Sequence, residues 1–304
     1  MVLAIGSDLT WEREGLDRTS IDFSDGQKAL IAAVTAAARG PVIALVFSGG
    51  AMDFTVLLRN PKIQAAFHLG QPSVQVLAAG DLIFGRTLAG GKASPAGRMS
   101  QMSYPANFVN EVSMFDFGMR PGKSAWPPMF HNPGRTYRFY TGDAVVPFGF
   151  GLSYTTWKYV PWVSATTMQD GLPLFDLADV RASIAEPQTV GHIAAKLKAA
   201  AVSLYVNVTN TGHVDSDDIV LGFDVPIGAG KNGAPIQELF AFERVHVRAG
   251  QTVTVYLPAP GLSFTQTDQN GLRRFVPGTY TVRFGVQETA AFGQGFAETQ
   301  IVVQ

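Results

Sequence analysis

Gly40-Pro-Val-Ile-Ala-Leu-Val-Phe-Ser-Gly-Gly50 is the stretch on which the fold of the first half turns. From Val42 to Phe47 it is apolar at every position. A half-exposed strand would alternate, so a short unbroken run predicts a strand of a parallel sheet covered on both faces. Gly40-Pro41 stops what precedes it, and Ser48-Gly49-Gly50 breaks the strand behind it. Upstream, Ser24 and Gln27 have capping-box spacing and Leu30, Ile31 and Val34 form an apolar stripe, which predicts a helix over 24–39. Downstream, Ile63 to Leu69 is a second apolar run. Ser73 to Phe84 is an amphipathic stretch with Val76, Leu77, Leu82 and Ile83 available for burial. Strand, helix, strand, helix defines an α/β domain.

From Gly85 to about Pro133 the chain is rich in Gly, Pro, Ser and Met without periodicity, which predicts long loops of the kind that carry function. Pro133-Gly-Arg-Thr-Tyr-Arg-Phe-Tyr140 reads as aromatic and extended, and Pro147 to Tyr154 as a glycine-punctuated turn. Residues 155 to about 200, with Pro161, Pro173 and Pro187, read as a connector that ends in one short helix around 193–201. Beyond it the texture changes. In Val202 to Thr209 the residues Val202, Leu204, Val206 and Val208 share one face, the mark of a half-buried strand. Residues 219–225, 238–247, 252–257, 279–286 and 298–303 repeat the pattern between Gly- and Asn-rich turns, which predicts a β-sandwich. The organisation expected is an α/β domain over 1–159, a connector over 160–200 and a sandwich over 201–304.

Composition narrows the partners. Hydrophobic residues make up 46% and charged residues 15%, which fits compact domains and excludes general disorder. With 23 basic and 24 acidic side chains the net charge of −1 gives no field to attract nucleic acid or an anionic bilayer, so a neutral ligand fits better. The absence of cysteine removes disulfides, thiolate metal sites and cysteine nucleophiles. The N-terminus has no basic region and too short an apolar run for a signal peptide or membrane span, so a soluble chain is expected, with its compartment open. The run from Met1 to Ile5 looks like the end of a strand, as in a truncated or split gene product.

Several ordered blocks carry a resemblance. They are Gly6-Ser-Asp-Leu-Thr-Trp-Glu-Arg-Glu-Gly-Leu-Asp-Arg18, Pro41 to Asp53, Pro95-Ala-Gly-Arg98, Tyr104-Pro105, Met119-Arg-Pro121, Pro133 to Gly142 and Pro147 to Tyr154. Val208 to Gly212, Asn232 to Pro235, Leu239 to Val247 and Gly250 continue the series. In this order they resemble the C-terminal half of family 3 glycoside hydrolases, and the Arg-Thr-Tyr-Arg-Phe-Tyr run points to the β-xylosidase branch. The resemblance implies an α/β sandwich, a parallel-rich sheet flanked by helices, followed by a fibronectin type III-like β-sandwich. It also implies a retaining β-glycosidase whose aspartate nucleophile lies on an N-terminal (β/α)8 barrel, with an acid/base glutamate on the α/β sandwich. Retention needs the two carboxyl groups about 5 Å apart. By motif position Glu12 is similar to the acid/base, with Glu14 the nearby alternative. Asp17 and Arg18 would organise that loop, the arginine fixing a carboxylate by charge-assisted hydrogen bonds. Nothing in the chain matches the nucleophile motif. The isolated chain is therefore expected to be inactive, meeting a β-linked oligosaccharide only with a separate barrel chain, or self-associating. The other reading is a non-catalytic binding or assembly module. Neither cofactor nor metal is implied. At Gly70-Gln-Pro-Ser-Val-Gln75 the chain departs from the Tyr-Pro-Gly segment usual in relatives.

Set against these are plainer readings. Taken alone, Glu12 and Glu14 would be solvated loop carboxylates. Ser48-Gly49-Gly50 is a tight turn rather than a phosphate cradle, because no Gly-Lys-Ser/Thr follows. His68, His131, His192, His213 and His246 are scattered without ligand spacing. Tyr137, Phe139 and Tyr140 are expected in core packing at a domain junction, and Arg135 and Arg138 in structural ion pairs. Asn207-Val-Thr209 is a glycosylation sequon inside a predicted strand, where modification is not expected. No exposed aromatic platform is visible, which weighs against a lectin-like role for the last domain.

Overall fold

The apolar run at Val42–Phe47 forms the middle of a parallel sheet. Strand β1 (Val2–Gly6) leads into helix α1 (Asp25–Ala37), strand β2 (Val42–Phe47), helix α2 (Thr55–Leu58) and strand β3 (Ile63–Gly70), and the sheet order is β1-β2-β3. A computed structural model describes residues 1–86, 92–124, 126, 129–185, 197, 199–268, 271–286 and 295–304. Ser24 caps α1 by accepting from the Gln27 amide at 3.3 Å. The Gln27 side chain does not complete a capping box. It spans to β1 instead, donating to the Gly6 carbonyl at 2.7 Å and accepting from the Gly6 amide at 3.1 Å. Helix and strand end are thereby locked together at the point where the Glu12 loop begins.

The two faces of β2 are covered unequally. Val42, Ala44 and Val46 are fully buried, whereas Ile43, Leu45 and Phe47 on the opposite face are partly exposed. The amphipathic stretch is a 3₁₀ turn over Val74–Leu77 and then helix α3 (Ala78–Phe84), and Leu77, expected inside, is 81% exposed. Helix α4 (Phe108–Glu111), the short strands β4 (Gly122–Lys123) and β5 (His131–Asn132), and helix α5 (Thr136–Phe139) follow among loops. The segment read as extended at 133–140 is thus partly helical. Its entry is set by Thr136 at φ 63°, with the Thr136 amide donating to the Tyr104 hydroxyl at 2.7 Å.

The chain falls into two units, one of Met1–Phe84, Met99–Thr136 and Tyr140–Phe148, the other of Gly85–Arg98, Tyr137–Phe139 and Gly149–Gln304. The second is a β-sandwich. It contains β6 (Trp157–Val163), β7 (Thr167–Gln169), β8 (Leu172–Phe175), helix α6 (Ala178–Ala185), β9 (Ala200–Asn210), β10 (Ser216–Val225), β11 (Glu238–Val247), β12 (Thr252–Pro260), β13 (Thr265–Thr267), β14 (Arg273–Phe275), β15 (Gly278–Phe284) and β16 (Ala297–Val303). One sheet runs β11-β10-β15-β16-β8-β7 and the other β12-β9-β6. Much of the stretch expected as a connector is therefore strand. Pro161 sits in β6, at the edge of its sheet, where a missing ladder donor is tolerated. The short helix expected around 193–201 lies for the most part outside the described residues; Ala200 and Ala201 open β9.

Leu204, Val206 and Val208 from one sheet and Val220, Val282, Phe284 and Ile301 from the other form one buried cluster. Each such side chain contributes about 1.5–3 kcal/mol through burial. Phe264 and Tyr280 meet edge to face at 5.1 Å, and the Tyr280 hydroxyl reaches the Val276 carbonyl at 2.6 Å. Asp224 in β10 is a buried acidic residue of this unit. Its carboxyl is poorly satisfied, with Ser263 and its own backbone amide the groups nearest to bonding it, and burial, with the nearby Glu238 charge adding to it, pushes its pKa well above the ordinary carboxylate range.

Candidate active site

The Glu12 loop leaves β1 at Gly6. The Ser7 amide still donates to the Phe47 carbonyl at 2.7 Å, so the loop begins from a fixed sheet position. The Trp11 and Glu12 amides turn back onto the Asp8 carbonyl at 3.0 Å each, and Asp8 accepts from Thr10 through both amide and hydroxyl. Arg13 and Leu16 then pair through both backbone bonds, 3.0 and 2.9 Å, which makes Glu14-Gly15 the tip of a two-residue turn.

Within this frame Glu12 and Arg18 meet and the other two candidates do not. Glu12 Oε2 accepts from Arg18 Nε at 2.6 Å and Oε1 from the Ser7 hydroxyl at 3.0 Å. Arg18 Nη2 donates to the Ala51 carbonyl at 3.0 Å, Nη1 lies 3.0 Å from Met52 Sδ, and the guanidinium sits 5.6 Å from the Trp11 ring centroid. The arginine side chain is 7% exposed and that of Glu12 24%. A nearly buried guanidinium needs such partners, and its planar fork lets one residue join the Glu12 loop to the turn after β2. That turn approaches closely: a Cβ on Gly50 would stand 2.7 Å from Arg18 Nη2 and 3.2 Å from Glu12 Oε2. Glu14 and Asp17 are exposed.

Ser7, Gln27, Trp11 and the Gly50–Met52 turn were not singled out as contributors by sequence reasoning. Only the pairing of Ser24 with Gln27 carried a signal, and it was read as a cap. Ser48, after β2, is buried; its hydroxyl donates to the Gly50 carbonyl at 2.9 Å and meets His68 Nε2 at 3.1 Å. Burial holds the His68 imidazole below its usual pKa. This Ser-His contact braces the turn, since a serine so buried cannot reach a substrate. Among the described residues no three His, Asp or Glu side chains gather as metal ligands, and no helix is long and apolar enough to cross a membrane.

Elsewhere in the first unit the 113–135 segment is built inside out. Buried Asp116 accepts from the Ser124 hydroxyl, the Gly118 amide at 2.8 Å and Asn132 Nδ2 at 3.3 Å, and these bonds, Ser124 first, hold its carboxyl below the usual range. Arg135 donates to the Asp116 and Gly118 carbonyls, a backbone clamp where an ion pair was expected. Arg138 does form its ion pair, with Glu238. On this polar frame Met114, Phe115, Phe117, Trp126 and Met129 point to solvent, Phe117 at 88% exposure. Tyr140 is buried, edge-on to Tyr104 at 4.9 Å, and Tyr137 meets Phe223 at 5.7 Å, so the aromatic run is spent on packing.

The chain thus joins a parallel α/β unit, with a braced carboxylate in the loop after its first strand, to a β-sandwich. Residues 1–154 match the glycosyl hydrolase family 3 C-terminal domain and residues 226–287 the fibronectin type III-like domain. The chain belongs to glycosyl hydrolase family 3. It is 34% identical over 297 residues to a probable exo-1,4-beta-xylosidase, xlnD, of Neosartorya fischeri, covering 96% of this chain and 35% of that protein. It is 33% identical over 290 residues to beta-D-xylosidase 1 of Arabidopsis thaliana, covering 93% and 36%. Among solved structures it is similar to a GH3 exo-beta-xylosidase (XlnD) in complex with a xylobiose aziridine activity-based probe, at a TM-score of 0.78 and 27% identity, covering 100% of this chain and 36% of that one. The fold is shared with a beta-D-glucoside glucohydrolase from Trichoderma reesei, at a TM-score of 0.72, 19% identity and coverage of 100% and 40%. The chain thus spans about a third of the length of the curated relatives it matches.

Proposed function

We propose that this chain is the part of a retaining β-glycosidase of β-xylosidase type that supplies the acid/base carboxylate, Glu12, while the nucleophile comes from a (β/α)8 barrel beyond these residues. The observation that carries the reading is the Glu12 carboxylate, braced by Ser7 and Arg18 yet still partly open to solvent. In this scheme Oε2 stays with Arg18. Oε1, bonded only to a hydroxyl that can rotate, carries the proton to the departing glycosidic oxygen and later takes one from water. Arg18 and Ser7 act as positioning residues. Glu14, on its exposed turn, and Asp17 take no part in that geometry.

The apolar exterior of the 113–135 segment supports docking. Exposed apolar patches of this kind mark interfaces, and the greater part of each relative's length lies outside the matched third. The alternative is a non-catalytic binding or assembly module.

The test is turnover of aryl β-xyloside and β-glucoside by the purified chain, alone and with a separately expressed family 3 barrel. The chain alone is expected to be inactive. With the barrel, turnover is expected, and Glu12→Gln should lower it about 10²–10⁴-fold. Turnover by the chain alone that Glu12→Gln abolishes would overturn the reading. Binding of the barrel without any turnover would favour the non-catalytic module.

A further inference from the structure

The outward face of the β12-β9-β6 sheet has a composition that sheet stability alone does not require. Inside, β9 contributes Val202, Leu204, Val206 and Val208 to the core. Outside, the strand register lines up three rows: Trp162, Tyr205 and Tyr256; Val160, Asn207 and Thr254; Lys158, Thr209 and Thr252. Trp162 and Tyr205 stack with centroids 4.3 Å apart and planes 8° apart, and Tyr205 and Tyr256 follow at 5.1 Å and 38°. Tyr205 has a neighbour on each side. The ring faces not used within the ladder are therefore those of its two ends, Trp162 and Tyr256, which are 40% and 46% exposed.

The surroundings of the ladder are polar and nearly uncharged. In these three rows Lys158 is the sole charged side chain. Asn207 Oδ1 accepts from Trp162 Nε1 at 3.3 Å and from the Thr254 hydroxyl at 2.9 Å, and the Thr209 and Thr252 hydroxyls bond at 2.8 Å. These contacts fix the aromatic rings and the polar groups beside them before any ligand arrives, which lowers the entropy lost on binding. An aromatic face carries partial negative charge and attracts polarised C–H groups. An amide and several hydroxyls beside it can exchange hydrogen bonds with a polyol. A face without carboxylates and with one cation complements a neutral ligand and offers little to an anion.

We propose that this face binds a neutral oligosaccharide, with pyranose rings packed on the open faces of Trp162 and Tyr256 and sugar hydroxyls bonded to Asn207 and the adjacent Thr254. The site is built from residues of the second unit, whereas Glu12 is in the first. The choice of a β-1,4-linked xylo-oligosaccharide as first probe rests on the proposed glycosidase reading; the site itself does not.

The test is titration calorimetry of the full chain with xylohexaose and with cellohexaose, with affinity electrophoresis in soluble xylan as the second readout. Saturable binding of at least one hexaose is expected, weakened about tenfold in Trp162→Ala and in Tyr256→Ala and unchanged in Glu12→Gln. Should Trp162→Ala lower the unfolding temperature, Tyr256→Leu and Asn207→Ala, judged at unchanged thermal stability, decide the matter. Absence of saturable binding by the wild-type chain overturns the proposal. So does binding that survives the ladder variants or is lost in Glu12→Gln. Because binding is read without turnover, failure of the glycosidase reading and failure of this site give different results.

Discussion

Strands β2 and β9 each lie in the middle of a three-stranded sheet, and they are finished differently. In β9 the inward residues are buried and the outward ones, Ser203, Tyr205, Asn207 and Thr209, are hydroxyl, amide or aromatic. In β2 both faces are apolar, yet Val42, Ala44 and Val46 are buried while Ile43, Leu45 and Phe47 are only partly so. The sandwich strand has an inside and a surface. The parallel strand has two insides, one of them incompletely filled by the described residues.

That contrast can be broken by measurement. The largest effect is expected for Leu204→Ala in β9, which should lower the unfolding free energy by about 2–5 kcal/mol in a denaturant titration. Leu45→Ala in β2 should cost roughly half as much or less, because less surface returns to water. Equal losses would show that the second face of β2 is as well packed as the first. Next comes Gly6→Ala. Gly6 sits at φ 146° and a Cβ there would stand 1.8 Å from the Phe47 carbonyl oxygen. Strain of about 1–3 kcal/mol is expected, with the sheet edge shifting and the Ser7 contact to Glu12 loosened. An unchanged melting temperature would remove Gly6 as the hinge of the loop.

The smallest effect tests the buried carboxyl of Asp224 in the sandwich core. Asp224 has a raised folded-state pKa, so above the ordinary carboxylate range the folded chain holds a proton that the unfolded chain has released. The contribution of Asp224 to stability is therefore most favourable below that range and falls as pH rises through it, until the folded-state pKa is passed, opposite in sign to that of Asp116, whose lowered pKa costs stability as pH falls. Asp224→Asn, read by thermal melts across pH, should flatten this slope while leaving acid stability nearly unchanged. A slope that persists in the variant would place its origin elsewhere.

Much of this was legible in the sequence. The run from Val42 to Phe47 and the alternation in 202–209 identify the α/β unit and the sandwich, because burial acts on side chains near in sequence. Prolines misled the reading of 160–200: Pro161 and Pro173 suggested a connector, but edge and short strands tolerate a missing donor. The helical turn at 136–139 was hidden by its aromatic content and by a threonine in a left-handed conformation. At the candidate site, Glu12 and Arg18 were named through the family resemblance, and their contact links residues near in sequence. Gln27 and the Gly50–Met52 turn are more distant, and their contributions arise only once β1 and β2 are paired. The partly exposed ladder of Trp162, Tyr205 and Tyr256 was invisible for the same reason, which is why no aromatic platform could be seen in the sequence.

The segment around Asp116 keeps its shape through Ser124, Asn132, Arg135 and backbone amides, while Met114, Phe115, Phe117, Trp126 and Met129 only face outward. Frame and exterior are thus written in different residues. Mutation can rewrite the exterior residue by residue without reopening the question of how the loop folds. Changes at Met114, Phe115, Phe117, Trp126 or Met129 alter the surface of the loop and leave in place the bonds that fold it.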